Sequence, residues 1–230
     1  MHILKIAILL TALSLAACSS VQQSATGKQR ILFFGDSITQ LGIKPNGYIT
    51  LVKDSLGHRA DADRFEVIGA GISGNRVPDL QARIDRDVIA RKPTLVVIYI
   101  GLNDVWHWAL FNKGTPKDLF LSGLKELIGK INSAGARVIL CTPSVVGEKH
   151  DGSNPLDKQL DEYAALSRKV ASETGTQLLD LRVDFVRALK QMNSANLEKG
   201  ILTTDGVHLN DDGNKFVASE MLQAINRSLP

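Results

Sequence analysis

The chain alternates short apolar runs with longer amphipathic stretches, and polar residues follow most of the runs. Ile31-Leu32-Phe33-Phe34 is wholly apolar and rich in β-formers, so it predicts a strand buried on both faces. It ends at Gly35, with Asp36-Ser37-Ile38-Thr39 behind it. Phe65 to about Gly69 predicts a second strand, which runs into Gly69-Ala70-Gly71-Ile72-Ser73-Gly74-Asn75. Leu95 to Ile100 is the longest and most hydrophobic run and shows no alternation. It predicts the central strand of a sheet covered on both faces, and it leads into Gly101-Leu102-Asn103-Asp104. Arg137 to Cys141 predicts a fourth strand and Gln177 to Leu181 a fifth.

The stretches between these runs carry helical spacing. Pro45 to Leu56 puts Tyr48, Leu51, Val52 and Leu56 on one face, and Gly57 can end it. Val77 to Ala90 gathers Leu80, Ile84, Val88 and Ile89, with Pro78 suited to the first turn. Thr115-Pro116-Lys117-Asp118 reads as a helix start, with Thr115 as cap, Pro116 at the first helical position and Asp118 completing a capping box. That helix runs to about Ser133, and Gly135 closes it. Pro143 to Pro155 reads as a loop, Leu156 to Glu173 as a helix, and Val183 to Met192 as another, followed by a long irregular stretch. The last helix starts at Asn210, with Asp211 and Asp212 at its positive end.

Strand then helix, five times over, predicts an α/β fold: a parallel sheet with helices on both faces. Right-handed crossovers bring the carboxyl ends of the strands to one edge, where ligands of such sheets bind. The polar residues that end the runs then meet along that edge. This convergence argues for an enzyme.

The N-terminus changes the domain picture. His2 and Lys5 precede an apolar run from Ile6 to Ala17, and small residues lead to Cys18. A charged start, a short apolar stretch and a small-residue cleavage site make an export signal over residues 1–17. Leu15-Ala16-Ala17-Cys18 resembles the lipobox of bacterial lipoproteins, a resemblance that implies acylation of Cys18 and an anchor in the cell envelope, on an outer membrane facing the periplasm. Residues 18–29, small and polar, then read as a lipidated tether, and 30–230 as one catalytic domain. The second cysteine, Cys141, ends an apolar run and reads as a buried small hydrophobe. Charge adds little: 27 Lys and Arg against 24 Asp and Glu leave +3, with no basic block, so nucleic acid is not an expected partner.

Ser37 is a weak nucleophile that needs a base. His208 is the best base available, and Asp205, three residues before it, can hold its Nδ1 hydrogen and fix the tautomer. The order Ser, Asp, His matches α/β-hydrolases, but the Gly-x-Ser-x-Gly elbow of that fold is absent. Donors for a developing oxyanion can come from the backbone N–H groups of Ser37 and Gly74 and from the side-chain amide of Asn103, each worth roughly 3 kcal/mol of barrier.

Gly35-Asp36-Ser37-Ile38-Thr39, Ile72-Ser73-Gly74-Asn75, Gly101-Leu102-Asn103-Asp104 and Asp205-Gly206-Val207-His208-Leu209-Asn210 resemble, in order, the four blocks of the SGNH hydrolases, also called GDSL-like esterases. The resemblance implies a three-layer α/β/α, flavodoxin-like fold around a five-stranded parallel sheet. It implies Ser37 as nucleophile, Gly74 and Asn103 completing the oxyanion hole, Asp205 and His208 finishing the triad, and no cofactor. Ile38 stands where the family's name motif has Leu, and Asn75 where many members have Asp; neither departure touches the chemistry. With no long apolar insert to form a lid or acyl tunnel, the expected substrate carries a short acyl group, such as acetyl, on a carbohydrate or small alcohol.

Other readings compete at single residues. Asp36 and Asp104 read as structural carboxylates that bond neighbouring backbone. Trp106-His107-Trp108 reads either as loop packing or as a pocket wall where a sugar or acyl group stacks. Gly69-Ala70-Gly71-Ile72-Ser73-Gly74 fits a dinucleotide fingerprint, but the acid expected about 20 residues on is missing. A metallohydrolase built from Asp36, Asp104, Asp205 and His208 is short of histidine ligands. A lysophospholipase or thioesterase of the same family, or an envelope binding protein that kept the fold without turnover, completes the alternatives.

Overall fold

Alternate side chains of the first strand fill opposite halves of the core, and the remaining layers follow from that. The computed structural model describes residues 27–229. The expected export signal and the Cys18 lipidation site lie outside the described residues. Strands β1 (Gln29–Gly35), β2 (Phe65–Gly71), β3 (Leu95–Tyr99), β4 (Arg137–Cys141) and β5 (Gln177–Leu179) form one parallel sheet in the order β2-β1-β3-β4-β5, with β3 central as its unbroken hydrophobicity predicts. Pairing is level: Gly35 lies opposite Gly71 and Tyr99, Tyr99 opposite Cys141, and Cys141 opposite Leu179. The five strands therefore end along one straight rim.

Among the described residues eight α-helices surround the sheet: α1 (Ser37–Gly42), α2 (Tyr48–Gly57), α3 (Val77–Asp87), α4 (Leu102–Phe111), α5 (Lys117–Ser133), α6 (Asp157–Thr174), α7 (Leu181–Met192) and α8 (Asp211–Ser228). Ile31, Phe33, Val97 and Ile139 pack on one face with Val52, Phe185 and Met221 of α2, α7 and α8. Leu32, Phe34, Val96 and Ile98 pack on the other with Leu80, Leu124 and Val170 of α3, α5 and α6. Each such buried side chain is worth about 2 kcal/mol, so both half-cores hold the rim in place. This is the three-layer α/β/α sandwich.

The structure departs from the sequence expectations at the rim. Helices α1 and α4 start directly after β1 and β3, where the spacing predicts none. Helix α1 is six residues long, too short to show a period, and it is started by the Asp36 carboxylate accepting from Ile38 N at 3.0 Å. Trp106-His107-Trp108 is helical rather than looped, because buried Leu102 and Val105 seat α4 in the core. Thr115 is not a cap: its N–H bonds to Asp104 O at 3.0 Å and draws it inside, and Pro116 takes the cap position in an extended conformation. Strand β5 stops at Leu179 because Asp180 leaves the sheet to cap α7, which begins two residues earlier than its spacing predicts. At the other end, Gln29 belongs to β1 rather than to the tether; it is buried, and its side-chain oxygen accepts from Thr94 Oγ1 at 3.2 Å.

Candidate active site

Ser37 is the first residue of α1, directly past the end of β1. Its Oγ lies 3.0 Å from His208 Nε2. His208 Nδ1 lies 2.7 Å from Asp205 Oδ2, and the other oxygen of that carboxylate accepts from Val207 N at 2.9 Å and His208 N at 2.7 Å. The turn Asp205–His208 is thus folded around the aspartate, which aims the imidazole. With Nδ1–H donated to the carboxylate, the Nε2 lone pair faces the serine hydroxyl. Partial burial pushes the Asp205 carboxyl up, but hydrogen bonds from the His208 ring and from the His208 and Val207 backbones outweigh it and hold the group below the usual value. It stays ionised, as an orienting carboxylate must.

The second side of the site comes from the segments after β2 and β3. Ile72 N donates to Gly35 O at 3.1 Å, so the chain leaving β2 passes beside the start of α1. Gly74 has φ +77°, a left-handed conformation that L residues adopt at a cost, within a turn closed by Asn75 N donating to Ile72 O. Asn103, buried in the first turn of α4, donates from Nδ2 to Asn75 O at 3.1 Å, and the same nitrogen is 3.5 Å from Asp36 Oδ2. An amide nitrogen has two hydrogens, and a contact at 3.5 Å holds the second weakly. Among the described residues no protein acceptor sits on the Ser37 or Gly74 amide. Ser37, Gly74, Asn103, Asp205 and His208, the residues that the sequence nominates for the chemistry, therefore all lie on or beside one rim.

Asp36 and Asp104 do not point at a common centre. Asp36 caps α1, and Asp104 Oδ1 accepts from Val77 N at 3.0 Å at the start of α3. Burial pushes both carboxyls up, Asp36 to about 7 and Asp104 to about 6. Among the described residues no group of three His, Cys, Asp or Glu side chains is placed to hold a metal ion. The fingerprint-like glycines have a packing role: a Cβ on Gly71 would lie 2.1 Å from Gln40 N, so Gly71 lets α1 close against β2.

The three residues Trp106-His107-Trp108 go to three places. The Trp106 ring meets the His208 ring edge-on, 6.5 Å between centroids. His107 packs on Phe111 and borders Gly74. Trp108 fills the space over Gly114. Two of these rings thus lie beside His208 and Gly74, and the third is packing.

Two supporting residues lie outside the sequence motifs. Arg83 of α3 is buried and reaches up to the rim, donating to Gly35 O at 2.8 Å, Ala70 O at 3.0 Å and Asn75 Oδ1 at 2.6 Å. Its sequence signal is a charge inside the apolar stripe of Leu80 and Ile84. Glu148, in the loop after β4, is fully buried against the segment that leads to Asp205. No local pattern marks it.

Comparison with known proteins shows the family. Residues 33–216 match the model of the GDSL-like Lipase/Acylhydrolase family. The chain is similar to an acetylxylan esterase of Geobacillus stearothermophilus, 32% identical over 213 residues, covering 86% of this chain and 94% of the relative. It is similar to the isoamyl acetate-hydrolyzing esterase 1 homolog of Rattus norvegicus, 30% identical over 211 residues, covering 82% of this chain and 78% of that protein. Among solved structures, the acetyl xylan esterase AlAXEase superposes with a TM-score of 0.84 at 44% identity, covering 85% of this chain and 99% of that one.

Proposed function

This chain belongs to the GDSL-like lipase/acylhydrolase family and is a carboxylic ester hydrolase, and on that premise we propose that it removes O-acetyl groups from a carbohydrate or small alcohol through a Ser37–His208–Asp205 triad. The observation that carries the reading is the unbroken line from Asp205 Oδ2 through the imidazole to Ser37 Oγ, at 2.7 and 3.0 Å.

In the proposed reaction Ser37 Oγ attacks the ester carbonyl carbon while His208 Nε2 takes the hydroxyl proton. The carbonyl oxygen gains the negative charge, and the amides of Ser37 and Gly74 and Nδ2 of Asn103 donate to it. When the tetrahedral intermediate collapses, the C–O bond to the alcohol breaks and His208 gives its proton to the leaving oxygen. Water, deprotonated by His208, then attacks the acetyl-serine carbonyl; as the second tetrahedral intermediate collapses, the C–O bond to Ser37 Oγ breaks, His208 returns its proton to that oxygen, and acetate leaves. Asp205 stays ionised throughout. These residues complete the cycle with no further group.

Support for an acetyl substrate comes from the relatives, whose names specify acetylxylan and isoamyl acetate. The test is a series of p-nitrophenyl esters of increasing acyl length, together with acetate release from acetylated xylo-oligosaccharides. The expected result is highest kcat/KM for acetate. Preference for C8 or longer chains would replace this reading with a lipase-like one.

The proposal places the enzyme in the cell envelope, exported and anchored through acylated Cys18, with residues 1–17 removed and 18–28 as the tether that leads into the hydrolase domain. Support comes from Leu15-Ala16-Ala17-Cys18 in the sequence. Mass spectrometry of the mature N-terminus decides it: an unmodified N-terminus beyond Cys18 would remove the anchor.

A further inference from the structure

A buried carboxylate with no obvious counter-charge needs an explanation, and Glu148 is such a group. It is fully buried in the loop after β4. Oε2 accepts from Ile201 N at 2.7 Å, and Oε1 accepts from Leu202 N at 2.7 Å, Thr203 N at 2.6 Å and Thr203 Oγ1 at 2.8 Å. Three consecutive backbone N–H groups therefore converge on one side chain, as they would on a bound anion. Four hydrogen bonds to one buried side chain hold this segment firmly.

The segment matters because it leads directly into the acid–base turn. Thr203 Oγ1, while donating to Glu148, accepts from Gly206 N at 3.0 Å. Gly206 lies between Asp205 and His208, and its carbonyl accepts from Gly147 N at 2.8 Å, next to Glu148. Glu148 N donates to Glu198 O at 2.8 Å, and Asn193 Nδ2 donates to Glu148 O at 2.8 Å. The loop after β4 thus grips both the turn itself and the chain leading into it, and the central contact of that grip is one carboxylate. Residues 201–210 hold little regular structure of their own, with Thr203 and Leu209 forming a single isolated bridge.

We propose that Glu148 is the positioning residue of the acid–base turn: its carboxylate, bound to the Ile201–Thr203 backbone and through Thr203 Oγ1 to Gly206, fixes where Asp205 and His208 stand relative to Ser37. Glu148 touches no reacting atom. Its effect falls on the geometry of proton transfer and hence on kcat rather than on substrate binding. Glutamine can keep the bonds to one oxygen but turns an NH2 toward one of the N–H donors. Aspartate keeps the charge on a stem one methylene shorter. This inference rests on the Ser37–His208–Asp205 triad being the catalytic one.

The experiment uses Glu148→Gln, Glu148→Asp, Glu148→Ala and Thr203→Val, with a fluorophosphonate to count active sites. Expected for Glu148→Ala is a fall in kcat per titrated site of about tenfold to a hundredfold with KM little changed, because small misplacements of catalytic groups cost on that scale. Glu148→Gln and Thr203→Val fall between that and wild type, and Glu148→Asp is expected to recover part of the alanine loss. In the proton NMR spectrum the His208 Nδ1 hydrogen should give a low-field resonance in wild type, and this resonance should be broader in the alanine and glutamine variants. If Glu148→Ala does not fold, the glutamine and threonine variants carry the test. Wild-type kcat per titrated site and an unchanged imidazole resonance in those variants would reduce Glu148 to a stabilising residue and overturn the proposal. Failure of the wild-type enzyme to label at Ser37 would instead overturn the triad itself.

Discussion

Ser37 and His208 stand 171 residues apart in the chain, and Oγ of one lies 3.0 Å from Nε2 of the other. The pair closes only because β1 and the turn after α7 reach the same rim. If this contact activates the nucleophile, Ser37→Ala and His208→Ala should each lower kcat for p-nitrophenyl acetate by at least about a thousandfold, since triad members act as a unit. Both variants should keep the wild-type circular dichroism spectrum and melting temperature within a few degrees. Substantial turnover in purified Ser37→Ala protein would remove Ser37 from the mechanism.

Asn103 supplies the side-chain donor of the proposed oxyanion site, and its loss should act on kcat. Asn103→Ala should cost about a hundredfold to a thousandfold in kcat, the usual loss for one oxyanion donor. Asn103→Asp should be worse, because it sets a second carboxylate beside Asp36 and offers no N–H. At Gly74 a Cβ has room, with His107 Cε1 the nearest atom at 3.9 Å, so the cost of Gly74→Ala is backbone strain of about 1–2 kcal/mol at φ +77°. Denaturant melts and steady-state kinetics on the two positions separate strain from lost donors. An Asn103→Ala enzyme with unchanged kcat would place the oxyanion elsewhere.

The ease of finding these residues from sequence, and the difficulty of finding their supports, have one physical cause. Ser37, Gly74 and Asn103 come close behind strands whose apolar runs are unmistakable, and a parallel sheet puts such positions on one edge. Asp205 and His208 are three apart in one turn and announce each other. Glu148 instead meets its partners 53 to 55 residues along the chain, a contact that no window of local periodicity encodes. Helix α1 falls below the length at which a 3.6-residue period can be read. Helix α4 is obscured because Trp106-His107-Trp108 spreads large rings over several of its sides instead of one apolar stripe. Thr115 satisfies the letter of a capping box, yet burial against Asp104 overrides it.

Asp36 carries a pH dependence whose sign follows from its burial. The carboxyl rises from 3.8 to about 7, chiefly because burial penalises its charge, with Asp104 nearby adding to the rise. Between those values the folded protein holds a proton that the unfolded chain has lost. Stability therefore falls as pH rises through this window, and the full penalty is present above about pH 7. Asp36→Asn keeps an oxygen for Ile38 N and removes the charge. Comparing urea unfolding at about pH 4.5 and about pH 8, wild type should lose on the order of 2–4 kcal/mol relative to Asp36→Asn on going to the higher pH. Parallel pH profiles for the two proteins would mean that Asp36 is ionised at low pH in the fold.

Arg83 tests whether the oxyanion side is held from below, as Glu148 tests the acid–base side. Its guanidinium caps the carbonyls of Gly35 and Ala70, binds Asn75 Oδ1, pairs with Asp87 at 2.9 Å and lies over the Phe34 ring at 4.5 Å. Arg83→Met fills much of the same space but leaves the two carbonyls and Asn75 Oδ1 without their donor in a buried setting, while Asp87 keeps Arg86, whose Nε lies 2.7 Å from its Oδ1. Each buried acceptor left without its donor costs about 1–3 kcal/mol, most of it desolvation. Arg83→Lys cannot rescue this, because a single ammonium has no planar fork to span two strands and a side-chain amide. Activity should fall as well, since freeing Asn75 loosens the carbonyl that holds Asn103 Nδ2 at 3.1 Å. Chemical denaturation gives the first quantity and kcat for p-nitrophenyl acetate the second. If Arg83→Met matches wild type in stability within about 0.5 kcal/mol, the margin of an ordinary surface change, the three acceptors are satisfied by water and the clamp has no energetic role. If stability falls while kcat holds, the clamp supports the fold and Asn103 is positioned by α4 alone.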